Sequence, residues 1–251
     1  MRLIDLSLTL EPSTSEPVPV QVQYIDHATG ADILGRAGGI DRTAFPGGMG
    51  LSLEHVQLTS HSGTHIDAPA HYGPLSAGCP AQTIEELPLS WFFQRGVVVG
   101  CRGEEADGPV RTEEIDRDLR LAGHVLAPLD IVLIRTGADK LWGQPEYFTH
   151  FRGVSAEATR SLIERGVKVI GVDSFGFDPP FQRMLADYKR TGDPGVLWPA
   201  HLLGRELPYC QIERLAALDQ IPTKTGFQVA CFPIKIKGAG AGPARVVALI
   251  P

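Results

Sequence analysis

The sequence predicts an α/β fold, or an α+β fold, in which a mixed central sheet is flanked by a few helices. Of its 251 residues, 43% are apolar and 21% are charged, which is an ordinary balance for a single globular domain with one core. Short apolar or alternating runs recur along the chain and predict about eight strands or more. Stretches with helix-capping residues separate several of these runs. We therefore expect strands and helices to share one core.

The N-terminal part of the chain is predicted to contain two strands separated by a long loop. Residues 1–10 alternate in polarity, as in a strand. Residues 11–50 are rich in Pro, Gly and polar residues, which predicts a long irregular segment that is a candidate cover for a functional site. Residues 51–58 alternate again and predict a strand that leads directly into a histidine-rich segment.

The rest of the chain predicts helices set between strands. Ser155 can cap a helix that Gly166 ends, and the apolar run 167–172 follows as a strand, which completes an αβ unit. A second helix is predicted to start after Thr112 and a third to span about 182–189. Further strands are predicted at 97–99, 131–134, 208–212, 227–237 and 245–250.

Charge and composition narrow the classes of partner. The net charge of -6 offers no basic surface for nucleic acid or an anionic membrane, so we expect a small-molecule substrate.

No run approaches the ~18 apolar residues that a membrane helix requires, and Asp5 interrupts the apolar N-terminus where a signal peptide would be continuous. We expect a cytoplasmic protein. Its four scattered cysteines would then be reduced and structural, whereas two disulfides would be the alternative in a secreted protein.

The most informative segment spans residues 61–71 and reads His-Ser-Gly-Thr-His-Ile-Asp-Ala-Pro-Ala-His, with three of the eight histidines of the chain. Its glycine, proline and β-branched residues disfavour a continuous helix and predict a turn followed by a strand. Alternation along a strand would place His65 and Asp67 on one side, and the turn could fold His61 back towards them.

These side chains are typical of a metal site. Neutral imidazole and ionised carboxylate bind Zn²⁺, Mn²⁺ or Fe²⁺, and fewer than four protein ligands leave a position for water or substrate. The predicted ligands are His61, His65 and Asp67, with His71 close to the metal but not bound to it. A lone histidine is more often a surface or core residue, but four such residues at this spacing favour a metal site.

The segment 61–72 closely resembles the signature of the cyclase-like metal-dependent hydrolases, a family that includes bacterial kynurenine formamidase and isatin hydrolase. The similarity covers nearly the whole chain. The resemblance implies a swivelling β/β/α fold, with a single domain over residues 1–251, that assembles as a homodimer or homotetramer. Further matching stretches lie at 83–89, 133–137 with Trp142, 153–155 and 171–179.

The resemblance also implies roles for individual residues. It places the first metal on His61, His65 and Asp67, and it makes His71 the general acid and base. Some family members bind a second metal through the same aspartate, a later histidine and a glutamate twelve positions beyond. Two residues fit that spacing here, although alone they would be an unremarkable pair: His201 and Glu213. The implied cofactor is one or two divalent ions, Zn²⁺ or Mn²⁺.

The chain departs from the family pattern at Gly176, where a serine is common that contacts substrate in some members. Ser174 is a candidate to replace that hydroxyl group. Aromatic side chains near the motifs could form an apolar cleft for a flat ring. The predicted substrate-contacting residues are Phe45, Tyr72, Ser174, Phe175 and Trp198.

Together these residues predict a hydrolase. A bound dication lowers the pKa of water from ~16 towards ~7, and His71 would collect the proton and return it to the leaving nitrogen. The expected substrate is a small aromatic or cyclic amide, lactam or ester. Two alternatives stay open: a lyase or isomerase in which His71 removes a carbon-bound proton, and a metal-binding scaffold without catalysis.

Overall fold

The structure is a computed structural model that describes residues 1–101, 103 and 108–251. The chain divides into two compact units. The larger unit comprises Met1–Thr9 and Ser60–Pro251, and the smaller comprises Leu10–Thr59. The predicted metal-binding segment lies in the larger unit.

Thirteen strands and six α-helices occur in the described part of the chain. The strands are β1 (Arg2–Asp5), β2 (Gln21–Ile25), β3 (Leu53–Gln57), β4 (His65–Asp67), β5 (Leu75–Ser76), β6 (Cys79–Pro80), β7 (Phe93–Gly100), β8 (Ile131–Arg135), β9 (Val169–Val172), β10 (Cys210–Glu213), β11 (Phe227–Ala230), β12 (Ala241–Pro243) and β13 (Val247–Ile250). The helices are α1 (His27–Gly38), α2 (Pro69–Tyr72), α3 (Thr112–Leu121), α4 (Ala156–Glu164), α5 (Phe181–Thr191) and α6 (Pro199–Leu203).

Nine strands of the larger unit form one mixed sheet, counted over the described residues. Their order is β1-β13-β11-β7-β8-β9-β10-β4-β12. The four central strands, β7 to β10, run parallel, and the strands on either side are antiparallel. Parallel strands are covered on both faces, which explains why β9 is buried along its whole length. This architecture confirms the predicted fold class.

The alternation of side chains divides the core between the two faces of the sheet. In β8, Ile131 and Leu133 join one buried cluster, whereas Val132 and Ile134 join the other. Successive side chains of a strand point to opposite faces, so one continuous apolar run supplies both clusters. An apolar run of this kind is therefore the sequence pattern of a central strand.

The predicted helices of the larger unit are confirmed. Ser155 caps α4 by accepting a hydrogen bond from the Ala158 amide at 3.1 Å. Gly166 follows the end of that helix with a φ of 94°, a conformation that glycine adopts readily. Among the strands, the prediction for 227–237 is too long, because β11 ends before Pro233, which has no amide to pair.

The smaller unit is more regular than predicted. Residues 11–50 contain β2 and α1, and Asp26 caps α1 by accepting from the Thr29 amide at 2.8 Å. The high Pro and Gly content of residues 11–50 predicted an irregular segment, and the prediction overlooked Asp26 as a helix-capping residue. The strand predicted over 51–58 exists as β3, but it pairs with β2 in a separate two-stranded sheet. The role of this unit as a cover stays a prediction.

Two further findings concern membrane helices and thiols. No helix in the described ranges combines the length and apolarity needed to cross a bilayer. All four cysteines are free thiols, as predicted, with Cys79 exposed and the other three buried. The cytoplasmic location itself stays a prediction.

Candidate metal centre

The histidine-rich segment folds as a turn followed by a strand, as predicted. Gly63 has a φ of 60° in the turn, and β4 then carries His65 and Asp67 into the large sheet. In this antiparallel pair His65 lies directly opposite Glu213 of β10. Residues opposite each other on antiparallel strands project from the same face, so the register brings a distant glutamate beside the motif.

His71 lies on the short helix α2, which begins at Pro69. Proline fits the first position of a helix because its missing amide would have no partner there. The sequence argument excluded a helix through the motif but did not foresee one that starts at this proline. The helix brings His71 Nε2 to 3.9 Å from Asp67 Oδ2, and the His71 side chain is 36% exposed.

The Asp67 carboxylate is the centre of the cluster. Its Oδ1 atom lies 3.0 Å from His61 Nδ1 and 3.5 Å from His65 Nε2. Its Oδ2 atom lies 3.7 Å from His201 Nε2 and 3.9 Å from His71 Nε2. The structure thus brings together side chains from β4, α2 and α6 that are far apart in sequence.

Glu213 completes the cluster. Its Oε2 atom lies 3.5 Å from His65 Nε2, and its Oε1 atom lies 3.7 Å from His201 Nε2. Two groups of three donor atoms have the spacing of metal ligands. One group comes from His61, Asp67 and His71, and the other comes from His65, Asp67 and Glu213. All five predicted ligands are therefore neighbours. Because His71 also falls in one group, its assignment as a base and not a ligand stays a prediction.

Hydrogen bonds orient two of the imidazole rings. His65 Nδ1 donates to the Gly63 carbonyl oxygen at 2.9 Å, and His201 Nδ1 donates to Asp178 Oδ2 at 2.6 Å. Each bond places a proton on Nδ1 and directs Nε2 at the cluster. His65 is neutral, so its Nε2 carries a lone pair. Burial of His201 is outweighed by hydrogen bonds to Asp178 and Asp67, which raise the pKa of His201 to about 10, so a cation would displace a proton from its Nε2. This is the arrangement expected of a metal-binding histidine.

The residues present fit a divalent cation. Asp67 is buried, and in the described part of the chain no hydrogen bond of good geometry reaches its two carboxylate oxygens or His65 Nε2, although His61 Nδ1 lies 3.0 Å from Oδ1. Burial and the charge of Asp67 raise the pKa of Glu213 to about 7. Burial lowers the pKa of His65 to about 3, which keeps this ring neutral. Two buried carboxylates held close together are costly, and a bound cation would offset that cost.

Asp178 is a site residue that the sequence argument missed. Its buried carboxylate accepts hydrogen bonds from the amides of Ala200 and His201, at 2.8 and 3.0 Å, as well as from the His201 ring. These bonds fix both the start of α6 and the direction of the His201 ring. Asp178 belongs to a stretch that matches the family, but its distance from His201 in sequence gave no signal of the contact.

Replacement of Asp178 by asparagine is expected to weaken metal binding at His201 and Glu213 by ~10- to 100-fold, the usual effect of losing a partner of a ligand. Binding at His61 and His65 should persist. Calorimetric titration with Zn²⁺ measures both. Asp193→Asn is the matched control, since Asp193 also accepts a backbone amide, from Gly195, but is exposed. Unchanged affinity at both sites would show that Asp178 does not position His201.

A cavity of about 250 Å³ opens onto the cluster, and aromatic side chains form much of its wall. Phe175 and Trp198, both predicted to contact substrate, lie in this wall. Trp198 stacks on Phe181 with ring centroids 5.3 Å apart, and both rings are partly exposed. The sequence argument missed Phe181 and the buried Arg214, whose guanidinium carbon lies 4.5 Å from the centroid of the Phe175 ring.

The other three residues predicted to contact substrate are placed differently. Tyr72 is buried, and its hydroxyl donates to the Asp67 carbonyl oxygen at 3.3 Å. Ser174 is also buried, and its hydroxyl donates to the Gly176 carbonyl oxygen at 2.8 Å. Neither side chain is in the described lining of the cavity. Phe45 belongs to the smaller unit, so its role stays a prediction.

Comparisons with known proteins agree with the geometry. Residues 4–179 match the model of the family described as "Putative cyclase". Cyclase-like protein 1 of Arabidopsis thaliana is 26% identical over 211 residues, which are 80% of this chain and 70% of that protein.

Two solved structures share the fold. Isatin hydrolase A from Labrenzia aggregata, bound to benzyl benzoate, is 25% identical with a TM-score of 0.74, over 99% of this chain and 93% of that one. Isatin hydrolase A from Ralstonia solanacearum is 23% identical with a TM-score of 0.75, over 100% and 92% of the two chains.

Proposed function

The chain belongs to the putative cyclase family, and from this premise we propose that it is a metal-dependent hydrolase that cleaves an amide, lactam or related acyl bond of a small aromatic or cyclic substrate. The observation that carries the proposal is the buried Asp67 carboxylate, which faces four histidines and lies beside Glu213 at the base of an aromatic cavity. Similarity to isatin hydrolase A supports hydrolysis, since isatin is a lactam.

The proposed ligands of the first ion are His61, His65 and Asp67, and those of a second ion are Asp67, His201 and Glu213. The two oxygens of Asp67 support this division, because Oδ1 lies nearest His61 and His65 whereas Oδ2 faces His201. A bound divalent ion polarises the acyl carbonyl and makes water a stronger nucleophile at neutral pH. Zn²⁺ and Mn²⁺ both suit this mixture of nitrogen and oxygen ligands.

His71 is proposed to move the proton. Burial lowers the pKa of His71, although the charge of Asp67 opposes the shift, so the ring is neutral and can accept a proton at pH 7. Its Nε2 atom would take a proton from the attacking water and deliver it to the leaving nitrogen. Its ring centroid lies 4.3 Å from that of His61 and its side chain is partly exposed, so substrate can reach it.

The aromatic wall is proposed to bind the ring of the substrate. Phe175 and Trp198 offer flat apolar surfaces beside the cluster, and stacking on such surfaces favours planar rings. Phe181 and Trp198 both line the cavity and are partly exposed, so an incoming ring could stack on them. A cavity of about 250 Å³ that combines aromatic walls with the polar cluster suits a substrate with one or two rings.

We also propose that the protein assembles as a homodimer or homotetramer and binds neither nucleic acid nor membrane. Exposed apolar side chains in the smaller unit support assembly, because surface of this kind is usually covered by a partner. Tyr24, Leu53 and Val56 of the β2–β3 pair are each more than half exposed.

Removal of metal is expected to abolish hydrolysis, and Zn²⁺ or Mn²⁺ should restore it. The measurement is turnover of a panel of formanilides, lactams, cyclic imides, lactones and carbamates after chelation with verified metal loss. Undiminished turnover would contradict the mechanism. Incorporation of ¹⁸O from labelled water into the acid product would distinguish hydrolysis from elimination by a lyase, and inactivity across the panel with metal bound would favour a scaffold.

A further inference from the structure

We propose that Gly176 is a specificity-determining position that gives this site room for acyl groups larger than formyl. The proposal rests on the function proposed above, in which His71 delivers a proton to the leaving nitrogen. In that reaction a bond forms between the water oxygen and the acyl carbon, the carbon–nitrogen bond breaks, and the products are an acid and an amine. The size of the acyl part of the substrate then depends on the space beside the acyl carbon.

Gly176 lines the cavity and leaves part of it open. A Cβ atom at this position would lie 3.8 Å from Phe151 Cζ and 3.9 Å from Glu213 Oε1, with no third heavy atom of the described residues within 4 Å. These are ordinary van der Waals distances. The φ of Gly176 also lies outside the left-handed region. Neither a left-handed backbone conformation nor close packing therefore requires glycine here, and the absent side chain leaves space in the cavity.

Other glycines near the site differ from Gly176 in this respect. A Cβ atom on Gly153 would lie 2.2 Å from the Asp178 carbonyl carbon, and one on Gly171 would lie 2.7 Å from Leu215 Cδ1. Real Cβ atoms do not approach other atoms so closely, so these two glycines are required by packing. The comparison separates a glycine that the fold needs from one that shapes the cavity.

The proposal assigns the space beside Gly176 to the acyl substituent of the substrate. His71 Nε2 faces Asp67 Oδ2, and the His71 ring centroid lies 4.3 Å from that of His61 and 5.5 Å from that of His201. In the proposed reaction the leaving nitrogen lies within reach of this Nε2 atom, which gives it a proton. Glu213 lies between His65 and His201, and its Oε1 atom would be 3.9 Å from a Cβ atom on Gly176. An acyl carbon has one further substituent besides its oxygen and the leaving nitrogen. In this proposal that substituent extends towards Gly176, where the absent side chain leaves space in the cavity.

The test compares anilides whose acyl group grows from formyl to acetyl, propionyl and butyryl, with the zinc-loaded wild-type protein and Gly176→Ala and Gly176→Val. Each kcat/KM is divided by the wild-type value for the same substrate, which cancels intrinsic reactivity. We expect the alanine variant to stay within about 3-fold on formanilide but to lose ~10- to 100-fold on butyranilide, with a larger loss for valine. Equal losses at every chain length, or none, would overturn the proposal.

Gly100→Ala is the matched control. A Cβ atom on Gly100 would likewise be at an ordinary van der Waals distance from its neighbour, Asp118 Oδ2 at 3.9 Å, but Gly100 lies at the end of β7 outside the cavity lining. We expect this variant to retain the wild-type chain-length profile. A changed chain-length profile in Gly100→Ala would show that an added methyl group outside the cavity has the same effect on specificity, which would overturn the role of Gly176.

A binding measurement separates failure of this proposal from failure of the proposed function. Formate, acetate, propionate and butyrate are titrated calorimetrically into the zinc-loaded protein. We expect butyrate to bind about 10-fold more tightly than formate, and Gly176→Ala to remove that preference. If no anilide is hydrolysed but the preference exists, the hydrolase assignment fails and the role of Gly176 stands. If anilides are hydrolysed without any preference for the longer acids, the role of Gly176 fails and the hydrolase assignment stands.

Discussion

Replacement of His71 by asparagine is expected to lower kcat by ~10² to 10⁴ while leaving the bound metal in place, because a positioned proton carrier contributes an effect of this size. Asparagine can keep a hydrogen bond but cannot accept a proton at neutral pH. His71→Ala should therefore be nearly as inactive. The measurements are steady-state kinetics together with metal content by mass spectrometry.

The pH dependence provides an independent readout for His71. Burial holds the pKa of this residue below its usual value, against the charge of Asp67. Its neutral, active form is therefore lost only as the pH falls through that lowered pKa, which gives wild-type activity an acidic limb. The limb should be absent from the residual activity of the asparagine variant.

His150→Asn is the matched control for His71, because the His150 side chain is exposed, lies outside the cluster and forms a hydrogen bond with the neighbouring Thr149 hydroxyl. We expect it to keep wild-type kinetics and metal content. Loss of metal in parallel with activity in His71→Asn would make His71 a ligand, and another residue would have to move the proton. Full activity in His71→Asn would contradict the catalytic assignment.

Replacement of Asp67 by asparagine is expected to remove metal binding and to lower kcat/KM by ~10³-fold or more, since a bound ion supplies several kcal/mol of transition-state stabilisation. Asp67 faces His61 and His65 through one oxygen and His201 through the other. An amide offers only one neutral oxygen, so both proposed ions should be affected. Zinc titration and kinetics measure the two effects.

Thermal denaturation distinguishes this loss of metal from misfolding. Zn²⁺ should raise the Tm of the wild-type protein, because a ligand that binds only the folded state stabilises it, but it should not raise that of Asp67→Asn. Asp130→Asn is a control in which we expect stability to fall while zinc binding is kept. Asp130 is also buried, but it pairs with Arg95 and His124 outside the cluster, so its loss should lower the Tm and spare zinc binding. An Asp67→Asn protein that still binds zinc at wild-type affinity would contradict the proposed site.

The sequence itself determined the elements whose signals are local. Capping by Ser155, the strand that carries His65 and Asp67, and the apolar run of β8 all follow from residues within a few positions of each other. Because a strand alternates its side chains and a turn precedes it, three candidate ligands could be predicted without any tertiary information. His201 and Glu213 followed only from resemblance to a family.

The tertiary structure alone decided which distant residues meet. The register that sets Glu213 opposite His65 depends on the pairing of β10 with β4, and the contact of Asp178 with His201 depends on how α6 begins. The space left by Gly176 likewise depends on Phe151 and Glu213, which lie far from it in sequence. Spacing along a chain fixes the direction of neighbouring side chains, whereas distances between separate elements depend on how strands pair and how the core packs around them.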